Sequence, residues 1–212
     1  MGNVKILISV LSLEEEPYVS LEKTIRETWA KEKHHNVEII YYYGGKDGEK
    51  FIEDKYYSDT PEGLYNIGYK TLNMFEYCLN NMNFDYIFRT NLSSYVDIGK
   101  LMTFISDKPL NEFYSGIIGR FGDVNFASGS GYFISRDLVE LVLNNKNKWN
   151  HSLIDDVALG KMLGDMGVDI YRGNRKDITT PQQYVGGFYH YRVKCQNDRN
   201  GDIAIMKHIY GR

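Results

Sequence analysis

Val4–Val10 (VKILISV) is an apolar, β-branched run, the pattern of a strand covered on both faces in a parallel sheet. A polar loop with three glutamates follows, from Ser12 to Pro17. From Ser20, placed to cap a helix, Leu21, Ile25 and Trp29 recur at helical spacing. Val37–Tyr43 reads as a second strand, stopped by Gly44 and Gly45. Lys46–Pro61 is charged and without period, and reads as an irregular surface segment. Leu64–Met82 gives the clearest helix, with Tyr65, Leu72, Phe75, Leu79 and Met82 on one face. It leads to Phe84–Asp97 (FDYIFRTNLSSYVD), where an apolar strand at Tyr86, Ile87 and Phe88 runs into the polar turn Thr90–Ser94. In open α/β sheets, ligands bind beyond strand ends of this kind.

The second half continues the alternation. A short helix is expected from Ile98 to Ser106, ending ahead of Pro109. Phe113–Arg120 alternates weakly as a strand, and Phe126–Ser135 (FASGSGYFIS) joins a glycine-rich bend to a strand. Ser135 is placed to cap a helix with Leu138, Val139, Val142 and Leu143 on its apolar side. Asp155 and Asp156 open another helix, where acids suit the positive end of the dipole. Leu159, Leu163 and Met166 face inward there, and Gly167 ends it. Val168–Tyr171 is a short strand, and the tail carries Gly187–Lys194 (GFYHYRVK) before a charged terminus. Alternating strands and helices predict an α/β architecture.

Composition narrows the classes. With 212 residues the chain is long enough for a sizeable core in one domain. A net charge of -3 disfavours non-specific nucleic-acid binding. Cys78 falls on a predicted helix face, and with only Cys195 beside it no disulfide framework or zinc site is indicated. No apolar run reaches the roughly 20 residues of a membrane span, and no signal-peptide pattern is visible, so a cytoplasmic setting is the expectation.

Three stretches could carry chemistry. Were the tail a strand, His190, Arg192 and Lys194 would share one face and suit a diphosphate; an edge strand with a solvated basic face has the same pattern. Of Asp155 and Asp156, one at most could serve as general base, since neighbours on a helix point differently. Gly129-Ser130-Gly131 lets a ligand approach the backbone or simply makes a bend, and neither a dinucleotide fingerprint nor a phosphate loop is present. Arg26 and Lys70, each taken alone, read as solvated charges.

Taken in order, these stretches resemble the β-1,3-glycosyltransferases of the galactosyltransferase and Fringe type, glycosyltransferase family 31. Thr24–Trp29 (TIRETW) is similar to the family's IRxTW segment, Tyr65–Thr71 (YNIGYKT) to its NLTxKT helix, and Asp85–Thr90 (DYIFRT) to the strand that delivers a triple aspartate. Ala127–Tyr132 with Ile134-Ser135 is similar to its SGxGY…S segment, and Asp155–Gly160 (DDVALG) to its acidic Asp-Val…Gly motif. The resemblance implies a single GT-A domain over residues 1–212, a mixed and mostly parallel sheet flanked by helices. Residues 1–97 would form the nucleotide-sugar half and 98–212 the acceptor half. It implies a nucleotide-sugar donor, most often UDP-linked, a glycan or other hydroxyl acceptor, and inversion at the anomeric carbon.

By position, Asp156 matches the family's catalytic base, and Arg26 and Lys70 match residues near the nucleotide and diphosphate. Where the family has three aspartates that hold a divalent cation, this chain has Asn91, Leu92 and Ser93, poor ligands for Mn2+ or Mg2+. A metal-independent transferase is therefore expected, with Lys70, Arg89, Arg192 and Lys194, plus Asn91 and Ser93, around the diphosphate, and His190 beside them. Gly129, Ser130, Gly131 and Asp155 are expected on the sugar and acceptor side. A non-catalytic nucleotide-sugar or glycan-binding relative is the alternative, and a metal-dependent variant would draw on Asp97 and His190.

Overall fold

The computed structural model describes residues 4–45, 48–195 and 198–212. Among them the chain forms β1 (Ile6–Leu11), α1 (Tyr18–Glu27), β2 (Val37–Gly44), β3 (Lys50–Ile52), β4 (Lys55–Ser58), α2 (Ile67–Asn81), β5 (Tyr86–Asn91), β6 (Ser94–Val96) and α3 (Ile98–Ile105). The second half adds β7 (Tyr114–Phe121), β8 (Val124–Ser135), α4 (Arg136–Asn144), α5 (Asp155–Asp165), β9 (Ile170–Arg172), β10 (Arg175–Ile178), β11 (His190–Val193) and α6 (Arg199–Tyr210).

The large sheet runs β3-β4-β2-β1-β5-β8-β7-β9. It is parallel through β4, β2, β1 and β5, and between β7 and β9, and antiparallel elsewhere. From β1 the chain winds outward through β2 to β4, then returns to lay β5 on the other side of β1. That reversal leaves a crevice beyond the ends of β1 and β5. Helix α1 supplies Leu21 and Ile25 to one apolar cluster; α2 supplies Leu72 and Phe75 to the other. The sheet is thus covered on both faces, which is why β1 is apolar at nearly every position. A second sheet, β10-β11-β6, draws strands from both sides of residue 97.

Several expectations change. The segment expected to be irregular contains β3 and β4, with Tyr56 and Ser58 buried; positions 46 and 47 lie outside the described residues. Ser20 does not cap α1. The helix begins at Tyr18, and the Ser20 hydroxyl donates to Glu16. Ser135 stands at the N-cap of α4 without a capping bond; its oxygen accepts the Phe113 N–H and its hydroxyl donates to Asp137. Tyr65 points to solvent at 83% exposure, in a 3₁₀ turn ahead of α2. β11 is the central strand of its sheet, not an edge.

Candidate active site

The crevice beyond β1 and β5 is a cavity of about 630 Å³. The sequence-predicted residues Lys70, Asn91, Leu92, Ser93 and Lys194 line it together, with Tyr18, Glu62 and Arg199, which the sequence did not single out. The turn after β5 is held from several sides. Ser93 N–H donates to Asn91 Oδ1 at 3.0 Å, closing an Asx turn. Leu92 is buried in the core beneath. Val193 N–H donates to the Ser93 carbonyl at 2.6 Å, and Arg199 Nη2 donates to Ser93 Oγ at 3.1 Å. Lys70 is only 2% exposed, and its ammonium meets Glu62 at 2.5 Å.

A β-bulge joins this cleft to the acids of α5. Gly116 pairs with Tyr132 and Ile118 with Ala127, so Ser128–Gly131 of β8 stand opposite Ile117 alone. Such an insertion re-aims the backbone groups it contains. The Ser130 carbonyl accepts from Thr90 Oγ1 at 2.7 Å and Ser94 Oγ at 3.1 Å, the two residues that flank the cleft turn. Gly129 N–H donates to Asp156 Oδ2 at 2.6 Å, and Val157 N–H donates to Oδ1 at 3.0 Å. A Cβ on Gly129 would lie 2.9 Å from Arg89 Nη1 and 3.0 Å from Asp156 Oδ2, so only glycine admits both groups at this distance. Burial, and secondarily the charge of Asp155, raise the Asp156 pKa, while the Gly129 bond and Arg89 oppose the rise. Asp156 is therefore a stronger base than an exposed aspartate.

Other predicted residues are placed differently. Arg89 is buried and does not line the cleft. Its guanidinium meets Asp155 at 2.6 Å and donates to the Tyr42 hydroxyl at 2.9 Å and to the Gly129 carbonyl. Asp155 is thereby the counter-ion of a core arginine, not a free carboxylate of the kind the sequence suggested for the sugar and acceptor side. Arg26 lies in a separate groove, bound through two nitrogens to Asp54 at 2.6 and 2.9 Å and set over the Tyr41 ring. His190 is buried with Nε2 2.9 Å from Ser94 Oγ; burial first, then Arg175 and Arg192, push its pKa well below the usual histidine value. Burial thus favours its neutral form, and it does not line the cleft. Arg192 pairs with Asp177 at 3.3 Å, so of the predicted basic face only Lys194 reaches the cleft. Ser130 Oγ accepts from Arg175, and Gly131 makes room for the His190 ring, 2.3 Å from where its Cβ would be.

The Asn91–Ser93 turn, expected from the resemblance to stand in place of a triple aspartate, does not fit a divalent cation. Asn91 Oδ1 is engaged with Ser93 N–H, and Ser93 Oγ already accepts from a guanidinium. Asp97 instead caps α3, accepting the Lys100 N–H at 2.9 Å, and pairs with the Lys100 ammonium. Among the described residues no group of three or more His, Cys, Asp or Glu is arranged to hold a metal ion.

Arg199 is the functional candidate that sequence patterning missed. The available signal was its place in the first turn of a helix, directly after a capping aspartate, where a cation is not expected.

Comparison with known proteins bears on the fold and on one segment of the chain. A galactosyltransferase family model matches residues 119–174, a stretch that holds the β8 bulge and both acids of α5. The mouse UDP-GalNAc:beta-1,3-N-acetylgalactosaminyltransferase 2 is 24% identical over 134 residues, 54% of this chain and 27% of that protein. The chain thus aligns with about a quarter of that relative's length. A glycosyltransferase involved in glycosylation of the major capsid of PBCV-1 has a similar structure, with TM-score 0.60 at 11% identity, over 96% of this chain and 98% of that one. The galactosyltransferase LgtC, solved with donor and acceptor sugar analogues, gives TM-score 0.51 at 11% identity, over 98% and 95%. The chain has the GT-A glycosyltransferase fold and carries a galactosyltransferase-type segment, as its motifs led one to expect. Among the described residues no helix is long and apolar enough to cross a membrane.

Proposed function

We propose that this chain is an inverting glycosyltransferase that moves a sugar from a nucleotide sugar, UDP-linked, to an acceptor hydroxyl, without a metal at the β5–β6 turn. The observation that carries the reading is the hydrogen-bonded path from cleft to acid. Thr90 and Ser94 hold the Ser130 carbonyl, and the adjoining Gly129 N–H holds Asp156. The donor diphosphate lies in the cleft against Lys70 and Lys194. Asp156 takes the proton of the acceptor hydroxyl as that oxygen attacks the anomeric carbon. The bond from that carbon to the β-phosphate oxygen breaks, and its electron pair leaves with the nucleoside diphosphate. The raised pKa of Asp156 suits a base that must accept this proton. The UDP assignment draws on the name of the mouse relative and on the motif resemblance.

A panel of nucleotide sugars, assayed for transfer and hydrolysis with and without EDTA, tests the proposal. Turnover of a UDP-sugar in excess chelator is expected. The absence of acids from the cleft turn favours one other reading, a nucleotide-sugar-binding protein without turnover. Binding of a donor with no release of UDP in that panel would support it instead.

A further inference from the structure

We infer that Arg199 is a fixed cation for the nucleoside diphosphate, standing at the turn where a metal would otherwise be bound; this rests on the donor-site reading above. Arg199 opens α6, at the far end of the chain from β5, yet its guanidinium hydrogen-bonds Ser93, the last of the three residues that stand at the family's aspartates. It lines the same cavity as Lys70 and Lys194. Its position is unfavourable for the helix alone, because a cation in the first turn opposes the macrodipole.

The protein nonetheless holds Arg199 firmly. Asp202, fully buried, meets Arg199 Nη1 at 2.5 Å and with its other oxygen accepts the Cys195 N–H at 2.6 Å. Tyr18, which lines the same cavity, lies with its ring centre 6.0 Å from the Arg199 guanidinium carbon. A guanidinium carries five N–H donors in a planar fork, more than its bonds to Ser93 and Asp202 use, and that fork matches phosphate oxygens. A preorganised cation beside the leaving diphosphate meets the charge that builds there as the glycosidic bond breaks. An arginine on Ser93 also accounts for the neutral residue at that place: with Asp202 already its counter-ion, a second carboxylate at position 93 would make the site net negative and repel a diphosphate.

The test is calorimetric titration of the full chain with UDP and with uridine, in EDTA, for the wild type, Arg199→Met, Arg199→Lys and Ser93→Asp. The wild type is expected to bind UDP more tightly than uridine. Arg199→Met should lose about 10- to 100-fold in UDP affinity, the factor of one charge-assisted hydrogen bond, with uridine affinity unchanged. Arg199→Lys should fall between. Should Arg199→Met fail to fold, Ser93→Asp decides, and is expected to weaken UDP binding to a similar degree. UDP affinity unchanged in Arg199→Met, or in Ser93→Asp where that variant decides, overturns the inference and leaves the donor site standing. A wild type that binds uridine and UDP equally also overturns it. A wild type that binds neither sinks the donor-site reading, and this inference with it.

Discussion

Arg89 and Asp156 hold the same residue from its two polar groups. The Arg89 guanidinium donates to the Gly129 carbonyl, and the Asp156 carboxylate accepts the Gly129 N–H at 2.6 Å. The bulge between them is thereby fixed to β5 on one side and to α5 on the other. Arg89 also compensates Asp155, the neighbour whose charge would otherwise push Asp156 higher still.

Arg89→Met should therefore be severely destabilising. It leaves the Asp155 carboxylate buried without its partner, a change that costs about 3–5 kcal/mol. Urea denaturation checks the size. Asp155→Asn added to Arg89→Met should cost far less than Asp155→Asn alone, because the uncompensated charge is then gone.

Asp156 gives a linked pH effect on stability. Its pKa is raised above 3.8 in the folded protein, by burial first and by Asp155 second. The folded state therefore binds this proton more tightly than the unfolded chain. That contribution is full below the unfolded pKa and is lost as pH rises through the folded value. The melting temperature of Asp156→Asn minus that of the wild type should increase from about pH 4 to about pH 7.

His190 works in the opposite direction. Its folded pKa is depressed below 6.5, so the unfolded chain takes up the proton first as pH falls. Its contribution is present above the unfolded pKa and is lost on acidification below about 6.5. Thermal melts from pH 7.5 down to about 5 should show this loss, and His190→Gln should flatten it.

Much of the frame was legible in the sequence because it rests on strong patterns. The apolar run of β1, the periodic face of α2 and the strand entering the Asn91 turn all follow from burial on known faces. The partners of charged residues were not legible. Arg26, a solvated charge when taken alone, was expected near the donor only from the resemblance, as Arg89 was from the mechanism it implied, yet each meets a carboxylate far along the chain, Asp54 and Asp155. One clue was in the pattern: Arg89 interrupts an otherwise buried strand, and a buried guanidinium requires a counter-ion. The strand β11 misled for a related reason. Period two correctly places His190, Arg192 and Lys194 on alternate positions, but the face is solvated only toward its end, since His190 fits under Gly131. β3 and β4 escaped because they lie at the sheet edge, where lysines such as Lys50 and Lys55 replace apolar alternation.

Gly131 offers a direct check on that packing. A Cβ there would lie 2.3 Å from the buried His190 ring, with Phe88 behind at 3.1 Å. Gly131→Ala should lower stability by about 1–3 kcal/mol, the usual range for overpacking, read by chemical denaturation. His190→Ala in the same chain should recover part of the loss.

We propose Asp156 as the base of a sugar transfer that proceeds without metal. The most direct measurement is UDP release from a UDP-sugar in excess EDTA, by the wild type and by Asp156→Asn, with donor binding measured alongside. Turnover by the wild type is expected, with a loss of about 100- to 10,000-fold in Asp156→Asn and similar donor affinity in both. Equal turnover by the two proteins, or turnover only after Mn2+ or Mg2+ is restored, would contradict it.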